Sequence, residues 1–175
     1  MSKLGLAVVL ALSCAGCGKA PEKPMADTPE EVFRKFVNTY IAVDGKAQWA
    51  MLSERQRKQS EAALAEIKAS PDEKLGDLAA QLNATLAEIR AAKPEEFTTM
   101  VMRSRMKEPG ALARTRSYGQ PKVTTEGKRL HVLAKTPDDR FTWSLWLVEE
   151  AAQWKVDEEN EEEEELKVIK PGEEK

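Results

Sequence analysis

Cysteine, histidine and tyrosine are scarce in this chain of 175 residues. It has two cysteines, Cys14 and Cys17, a single histidine, His131, and two tyrosines. A structural zinc site takes about four ligands, mostly cysteine and histidine, so these counts argue against zinc. They also argue against a framework of several disulfides. No Ser-His-Asp arrangement, glycine-rich phosphate loop or metal-binding motif is present, and we therefore predict neither a cofactor nor a metal.

The chain also lacks a hydrophobic run long enough to span a bilayer. The longest apolar stretch, residues 4–12 (LGLAVVLAL), has nine residues, whereas a membrane-spanning helix needs about 20. Lys3 precedes this stretch and small residues follow it. A positive start, a short apolar centre and small residues are typical of a secretory signal peptide. We predict a signal peptide over residues 1–16.

The two cysteines stand at the end of this leader. Ala15-Gly16-Cys17 resembles the bacterial lipobox, in which the chain is cut before a cysteine that receives diacylglycerol. The resemblance implies lipidation at Cys17, with cleavage before Cys14 as the alternative. It also implies two or three acyl chains, which suffice for stable membrane attachment. Gly18 stands where an aspartate often causes inner-membrane retention, so the expected place is the outer membrane, facing the periplasm.

Charge divides the remaining chain. Residues 17–27 are rich in proline and charge and predict a tether, and residues 28–157 are long enough for one domain. Residues 149–175 hold 12 Asp and Glu against 4 Lys and Arg, and residues 157–165 (DEENEEEEE) contain eight acids. Such runs repel themselves, so residues 158–175 are predicted to be a disordered acidic tail. The scattered signs elsewhere give no indication of nucleic acid binding.

Hydrophobic spacing predicts helices first and strands afterwards. Thr28-Pro29-Glu30-Glu31 is a capping box with proline at the first helical position, and a stripe of period 3.6 follows it. Residues 75–89 have the spacing of one amphipathic helix. Period-two patterns then predict strands over residues 112–118 (extending through 120–125), 129–135, 141–148 and 154–156. This order predicts an α+β domain with N-terminal helices packed on a curved antiparallel C-terminal sheet.

Two stretches resemble small bacterial lipoproteins with a nuclear-transport-factor-2-like fold. The first contains the Thr-Pro-Glu-Glu helix start, a DG turn at Asp44 and the run WAMLSERQR, and the second contains FTWSLWLV followed by WKVD. The resemblance implies a cone, in which helices pack into the concavity of a bent sheet. Residues 64–107 are more helical than that family requires and are interpreted as a helical insertion.

Candidate catalytic groups are few. His131 points away from the apolar face of its strand, Tyr40 falls on an apolar helical stripe, and Asp44 is interpreted as a turn residue. Tyr118 precedes a glycine at a strand end. No two of them are placed near each other by sequence, so no catalytic residue is assigned.

A binding surface is the other possibility. Trp146 is expected on the face of its strand opposite Trp143, where it either contacts a partner or covers the sheet beneath a helix. The basic set that accompanies it consists of Arg103, Arg105, Arg114 and Arg116. It is interpreted as a surface for anionic lipid or glycan, or for the chain's own acidic residues.

Three functions remain open from sequence. The first is a non-catalytic, lipid-anchored envelope protein that binds a partner protein or a small ligand through its cone-like domain. The second is an isomerase- or dehydratase-like enzyme acting on a small hydrophobic substrate. The third is a spacer or assembly factor that uses the apolar seam of residues 75–89.

Overall fold

A computed structural model of the chain describes residues 27–163. The predicted signal peptide, Cys14, Cys17, most of the tether and residues 164–175 lie outside the described residues. Seven helices come first: α1 (Pro29–Ala42), α2 (Gly45–Met51), α3 (Glu54–Lys68), α4 (Asp72–Leu82), α5 (Leu86–Ala91), α6 (Pro94–Met106) and α7 (Ala111–Ser117). Four strands follow: β1 (Lys122–Glu126), β2 (Arg129–Lys135), β3 (Phe141–Glu150) and β4 (Gln153–Glu163).

The predicted α+β class is confirmed. The strands form an open antiparallel sheet in the order β1-β2-β3-β4. Helix α1 begins at the capping box expected from sequence, with the Thr28 side chain on the Glu31 amide and the Glu31 carboxylate on the Thr28 amide.

One face of the sheet carries the main core. Helix α1 contributes five of its buried side chains, Val32, Phe33, Phe36, Val37 and Tyr40, and α6 contributes Met102. The sheet contributes Val132, Ala134, Trp143, Leu145, Leu147 and Val156. Trp143 lies at the centre, with edge-on contacts to Phe33, Phe36, Tyr40 and Tyr118. Burial of these large aromatic side chains is the main stabilising contribution to this layer.

A second, smaller core joins the helices of the predicted insertion. Leu75, Ala79, Leu82 and Ile89 are buried there, with Phe97 and Val101 of α6 packed against them. Helix α6 therefore contributes to both cores and connects the two layers.

Glycine at position 45 permits close packing of α2 on α6. A Cβ built on Gly45 would lie 2.3 Å from Thr99 Oγ1 and 2.5 Å from the Glu95 carbonyl oxygen. The DG pair was interpreted from sequence as a helix-ending turn. Instead Val43 ends α1 in a left-handed conformation, Asp44 caps α2 by accepting the Ala47 amide at 2.9 Å, and Gly45 is the first helical residue.

The helix predicted over residues 75–89 is interrupted in the structure. Asn83 adopts a left-handed conformation with φ 52° and ends α4. Thr85 then starts α5 with a capping box completed by Glu88. The spacing of the leucines suggested a single helix. Local capping by asparagine and threonine divides it into two.

The strand predicted over residues 112–118 was wrong, because these residues belong to helix α7. Arginines at positions 114 and 116 gave an apparent alternation. The buried positions are Ala111 and Thr115, which are four residues apart and lie on one helical face. Alanine, leucine and arginine also have high helical propensity.

The disordered tail predicted from residue 158 is also wrong for residues 158–163. Strand β4 continues to Glu163, and Glu163 pairs with Phe141 at the start of β3. The backbone hydrogen bonds of this ladder and the arginines and tyrosines facing the glutamates offset the repulsion within the acidic run. The last twelve residues of the predicted tail lie outside the described part of the chain.

Candidate functional site

Strand β4 presents its glutamates alternately to the two faces of the sheet. Glu159 is paired with Leu145 and Glu161 with Trp143, and both partners are core residues of β3. Neighbouring side chains along a strand point to opposite faces. Glu159 and Glu161 therefore point towards the helices, although the acidic composition of this segment predicted that its side chains face solvent.

Tyr40 and Glu159 form a hydrogen-bonded pair beneath α1. The Tyr40 hydroxyl donates to Glu159 Oε1 over 2.7 Å. Burial raises the pKa of Glu159 above its ordinary value, and the Tyr40 donor and the Arg105 guanidinium oppose that rise. Burial, with the adjacent carboxylate, also raises the pKa of Tyr40. The hydroxyl thus stays protonated, and its proton is directed at the carboxylate.

Glu161 has two donors where Glu159 has one. Its Oε1 accepts from the Tyr118 hydroxyl at 2.7 Å and from Arg114 Nε at 3.1 Å. The Arg114 guanidinium also lies over the Phe141 ring, 4.6 Å from the centroid. Burial and the contact with Glu161 raise the pKa of Tyr118. Glu161 is therefore a paired, neutralised carboxylate.

A cavity of about 260 Å³ lies between Tyr40–Glu159 and the helices. Five of its residues form an apolar wall: Leu64, Ile67, Phe97, Val101 and Met102. Tyr40, Gln48 and Glu159 form its polar end. The lining also includes Gln56, Ser60 and Ala63 of α3, together with Leu52, Thr98 and Val156. The exposure of Ala63 shows that the cavity reaches solvent on that side. We call this space the interlayer cavity.

Gln48 is a buried polar side chain with an unused acceptor. It is 4% exposed, and its Oε1 has no hydrogen-bond partner among the residues that the structure describes. An amide buried without a partner costs about 1–3 kcal/mol, and buried polar groups are normally paired. The wall of the interlayer cavity therefore holds a group suited to an incoming hydrogen-bond donor.

A second cavity of about 210 Å³ lies on the other side of Tyr40. It is lined by Tyr40, Arg105, Arg114, Trp143 and Glu161, with Met106, Glu108 and Thr115. Both charge signs are present in this lining. Its electrostatic character therefore differs from that of the interlayer cavity.

Asp157, at the bulge of β4, anchors the strand to the start of α3. It is 5% exposed and accepts from Ser53 Oγ at 2.7 Å and from Arg55 Nε at 2.8 Å. The Ser53 amide also donates to the Val156 carbonyl at 2.8 Å. The hydrogen bonds from Arg55 hold the pKa of Asp157 below its ordinary value. Residues 53–55 and 156–157, which are distant in sequence, thus meet here in a structural contact.

The binding surface predicted from sequence is divided between two sides of the sheet. Trp146 lies on the outer face, as expected, where it stacks on His131 with ring centroids 4.3 Å apart and an interplanar angle of 10°. Arg129 also lies over Trp146, at 4.8 Å. Both ring partners of Trp146, His131 and Arg129, belong to strand β2 and not to a helix.

The predicted basic residues lie on the helical side. Arg103 and Arg105 belong to α6, and Arg114 and Arg116 belong to α7. Arg114 is engaged by Glu161, which belongs to the chain's own acidic run. The structure therefore does not bring Trp146 and these arginines together as one surface.

A larger depression of about 400 Å³ lies between α5 and α6. Its lining is mostly apolar and includes Ala91, Ala92 and Met100, with Glu88, Glu96 and Arg103 around it. None of its residues carries a buried polar atom without a partner in the described chain. The interlayer cavity is the better candidate site, because its polar groups converge and one is unpaired.

Sequence reasoning missed both Glu159 and Gln48. Tyr40 was interpreted as core, which is true of its ring, but its hydroxyl is part of the site. Alternation along the strand gave no usable signal, because counting on from Val156 places Glu158 on the core face, whereas the bulge at Asp157 shifts the register and places Glu159 there.

Neither a candidate metal cluster nor a candidate membrane-spanning helix is found among the described residues. Over residues 27–163 no group of three His, Cys, Asp or Glu side chains converges in a way that could hold a metal ion. No helix in that range is long and apolar enough to cross a bilayer. Comparison of the chain with protein-family models, with curated proteins and with solved structures gave no match.

Proposed function

We propose that this chain is a bacterial envelope lipoprotein that binds a small ligand in its interlayer cavity and does not transform it. The lipobox-like sequence at Cys17 supports the anchoring. A helical layer placed against an antiparallel sheet, with a cavity between them, supports the nuclear-transport-factor-2-like cone. The outer membrane, facing the periplasm, is the proposed location.

The unpaired amide of Gln48 is the observation that carries the binding role. Cavities that serve only packing are apolar and dry, whereas ligand sites combine an apolar wall with a few convergent polar groups. At about 260 Å³ the cavity falls just below the ~300–1,000 Å³ typical of drug-sized ligands. The ligand is accordingly small.

Binding can be tested by filling the cavity. Ala63→Trp places an indole at its solvent-facing wall, and Ala87→Trp is the matched control at an exposed position of α5 outside the cavity lining. Native lipid-bearing protein, extracted from the envelope and analysed by mass spectrometry, should release a small molecule from the wild type and from Ala87→Trp. Ala63→Trp should release none. Equal release from all three proteins would contradict the cavity as the binding site.

Catalysis is the second candidate, because Tyr40 and Glu159 place a hydroxyl and a carboxylate in contact at the cavity wall. A carboxylate with a raised pKa is suited to general base catalysis. The recovered molecule discriminates the two roles. Incubated with excess protein, a bound ligand is recovered unchanged, whereas a substrate is converted and conversion is lost in Glu159→Gln.

Anchoring has its own test. Labelled palmitate should be incorporated into the wild type and into Cys14→Ala, and should be lost in Cys17→Ala. Incorporation that persists in Cys17→Ala and is lost in Cys14→Ala would move the lipid to Cys14. Recovery of the protein in the cytosol with its original methionine would end the lipoprotein proposal.

A further inference from the structure

The interlayer cavity has one sign of charge in its lining. Of the described residues around it, Glu159 carries the one carboxylate, and no lysine, arginine or histidine is among them. The neighbouring cavity differs, because Arg105 and Arg114 line it together with Glu161. A charged ligand in the interlayer cavity therefore meets one carboxylate and no cation in the wall, and the Arg105 guanidinium, which also acts on Glu159, lines the neighbouring cavity.

The polar end of the cavity holds hydrogen-bond acceptors that are not fully used. The Tyr40 hydroxyl has one proton, and it is used on Glu159 Oε1. A carboxylate can accept about four hydrogen bonds. Tyr40 supplies one to Glu159, and the indole N–H of Trp143 also acts on this carboxylate without forming a standard hydrogen bond. Gln48 Oε1 adds an acceptor with no partner in the described chain. Glu159 and Gln48 Oε1 thus keep acceptor capacity that the described side chains leave unused, and a ligand that brings donors fills it.

The rest of the wall determines the body of the ligand. Phe97 and Val101 lie on α6, and Leu64 and Ile67 lie on α3. This wall of aliphatic and aromatic side chains favours an apolar group that fits the cavity, because binding removes the apolar surface of the ligand from water. A ligand with one polar end and one apolar end therefore matches the two ends of the cavity.

We infer that the ligand of the interlayer cavity is a small cationic amine with a compact apolar body, its ammonium group seated between Glu159 and Gln48. This inference rests on the proposed binding function and adds the chemical class of the ligand. The positive charge of the ammonium group favours the ionised form of Glu159 against the effect of burial, and a charge-assisted hydrogen bond is stronger than a neutral one. An ammonium group has three donors and no acceptor, which complements the unused groups of the site.

Three probes of nearly equal size test the inference: cyclohexylamine, cyclohexanol and cyclohexanecarboxylate. The full chain in detergent, labelled at its methionine methyl groups, is titrated with each at pH 7.5 and followed by NMR. Met102 lines the interlayer cavity, and Met100 lines the depression between α5 and α6. Movement of the Met102 signal without the Met100 signal locates the probe in the proposed site.

We expect cyclohexylamine to bind about tenfold more tightly than cyclohexanol, and cyclohexanecarboxylate to bind most weakly. Glu159→Gln should reduce the preference for amine over alcohol to about twofold while leaving the affinity for cyclohexanol nearly unchanged. Glu161→Gln is the matched control, since Glu161 lies two residues further along the same face and lines the other cavity. It should keep the preference.

The outcomes separate the two proposals. If all three probes move Met102 with equal affinity, or if the carboxylate binds best, the cationic class is overturned and the binding function stands. If no probe moves Met102, both fall. If Glu159→Gln does not fold, Gln48→Met provides the second test, and it should weaken the amine about threefold without weakening the alcohol.

Discussion

Asp157 and Glu159 are two carboxylates on the same strand, and they differ in their hydrogen-bond partners and in the direction of their pKa shifts. Asp157 accepts hydrogen bonds from Ser53 and from two nitrogens of Arg55, and Arg129 lies 3.4 Å away. Glu159 accepts from Tyr40 and faces a cavity. Hydrogen bonds from Arg55 lower the pKa of Asp157, and burial raises the pKa of Glu159. The first carboxylate ties two parts of the fold together, and the second lines a cavity with part of its acceptor capacity unused.

Removal of the Asp157 carboxylate should have the largest effect. Asp157→Ala leaves Ser53 without its acceptor and removes both contacts to Arg55, so the free energy of unfolding should fall by about 3 kcal/mol. Urea denaturation followed by circular dichroism measures it. Asp72→Ala is the matched control, because Asp72 also pairs with an arginine, Arg90, but is exposed. Its loss should be below about 0.5 kcal/mol, and equal losses would remove the distinction between anchored and exposed pairs.

Loss of the Tyr40 hydroxyl comes next. Tyr40→Phe keeps the packed ring but deprives Glu159 of its donor, so the free energy of unfolding should fall by about 1.5 kcal/mol. Tyr118→Phe is the comparison variant, and its loss should be smaller, because Arg114 still donates to Glu161. A larger loss in Tyr118→Phe would show that Glu161 and not Glu159 is the poorly compensated glutamate.

Neutralising Glu159 should stabilise the fold. In Glu159→Gln the amide oxygen can still accept from Tyr40, and the desolvated charge is gone. The free energy of unfolding at pH 7.5 should therefore rise by about 1 kcal/mol. The same change at Asp157, Asp157→Asn, should lower it. Chemical denaturation of both variants measures these changes in the free energy of unfolding, which should have opposite signs. A lower free energy of unfolding in both would mean that Glu159 is also a structural anchor.

The smallest expected effects concern pH. For each carboxylate, which binds one proton, the free energy of unfolding should change by less than about 1.4 kcal/mol per pH unit. The pKa of folded Glu159 lies above its ordinary value of 4.5, so the folded state binds more protons than the unfolded state above pH 4.5. The wild type should therefore lose stability relative to Glu159→Gln as pH rises from 4.5 through the folded pKa.

Asp157 should show the reverse dependence. Its pKa in the folded state lies below its ordinary value of 3.8, so its contribution is complete above that value and is lost as pH falls through the folded pKa. Denaturation curves from pH 3 to pH 8 should show this loss in the wild type and not in Asp157→Asn. An acid limb that is unchanged in Asp157→Asn would assign it to other carboxylates.

The sequence predicted those elements whose local signals agree with their tertiary environment. The capping box at Thr28 and the apolar stripe after it gave α1, and the alternation through Trp143, Leu145 and Leu147 gave β3 with the correct inner face. In both cases the buried side chains are hydrophobic, so burial can be read directly from residue type.

Prediction failed where polar side chains occupy inner positions. Glu159 and Glu161 are acceptable there because Tyr40, Tyr118 and Arg114 face them across the core, and these partners come from distant parts of the chain. An acidic run viewed alone indicates solvent exposure. The interlayer cavity could not be predicted either, since it depends on how α3 and α6 pack and not on the composition of either helix.

Strand β4 also ends the sheet, and its outer edge has a parallel bridge at Val156, to Leu52. Beyond that bridge, residues 158–163 hold five glutamates. An open edge invites another strand to add to it, and charged side chains discourage that addition. Two copies of the chain approaching edge to edge would bring like charges within a few ångströms. The acidic run, whose Glu159 lines the interlayer cavity, thus also disfavours edge-to-edge association when many copies are crowded together.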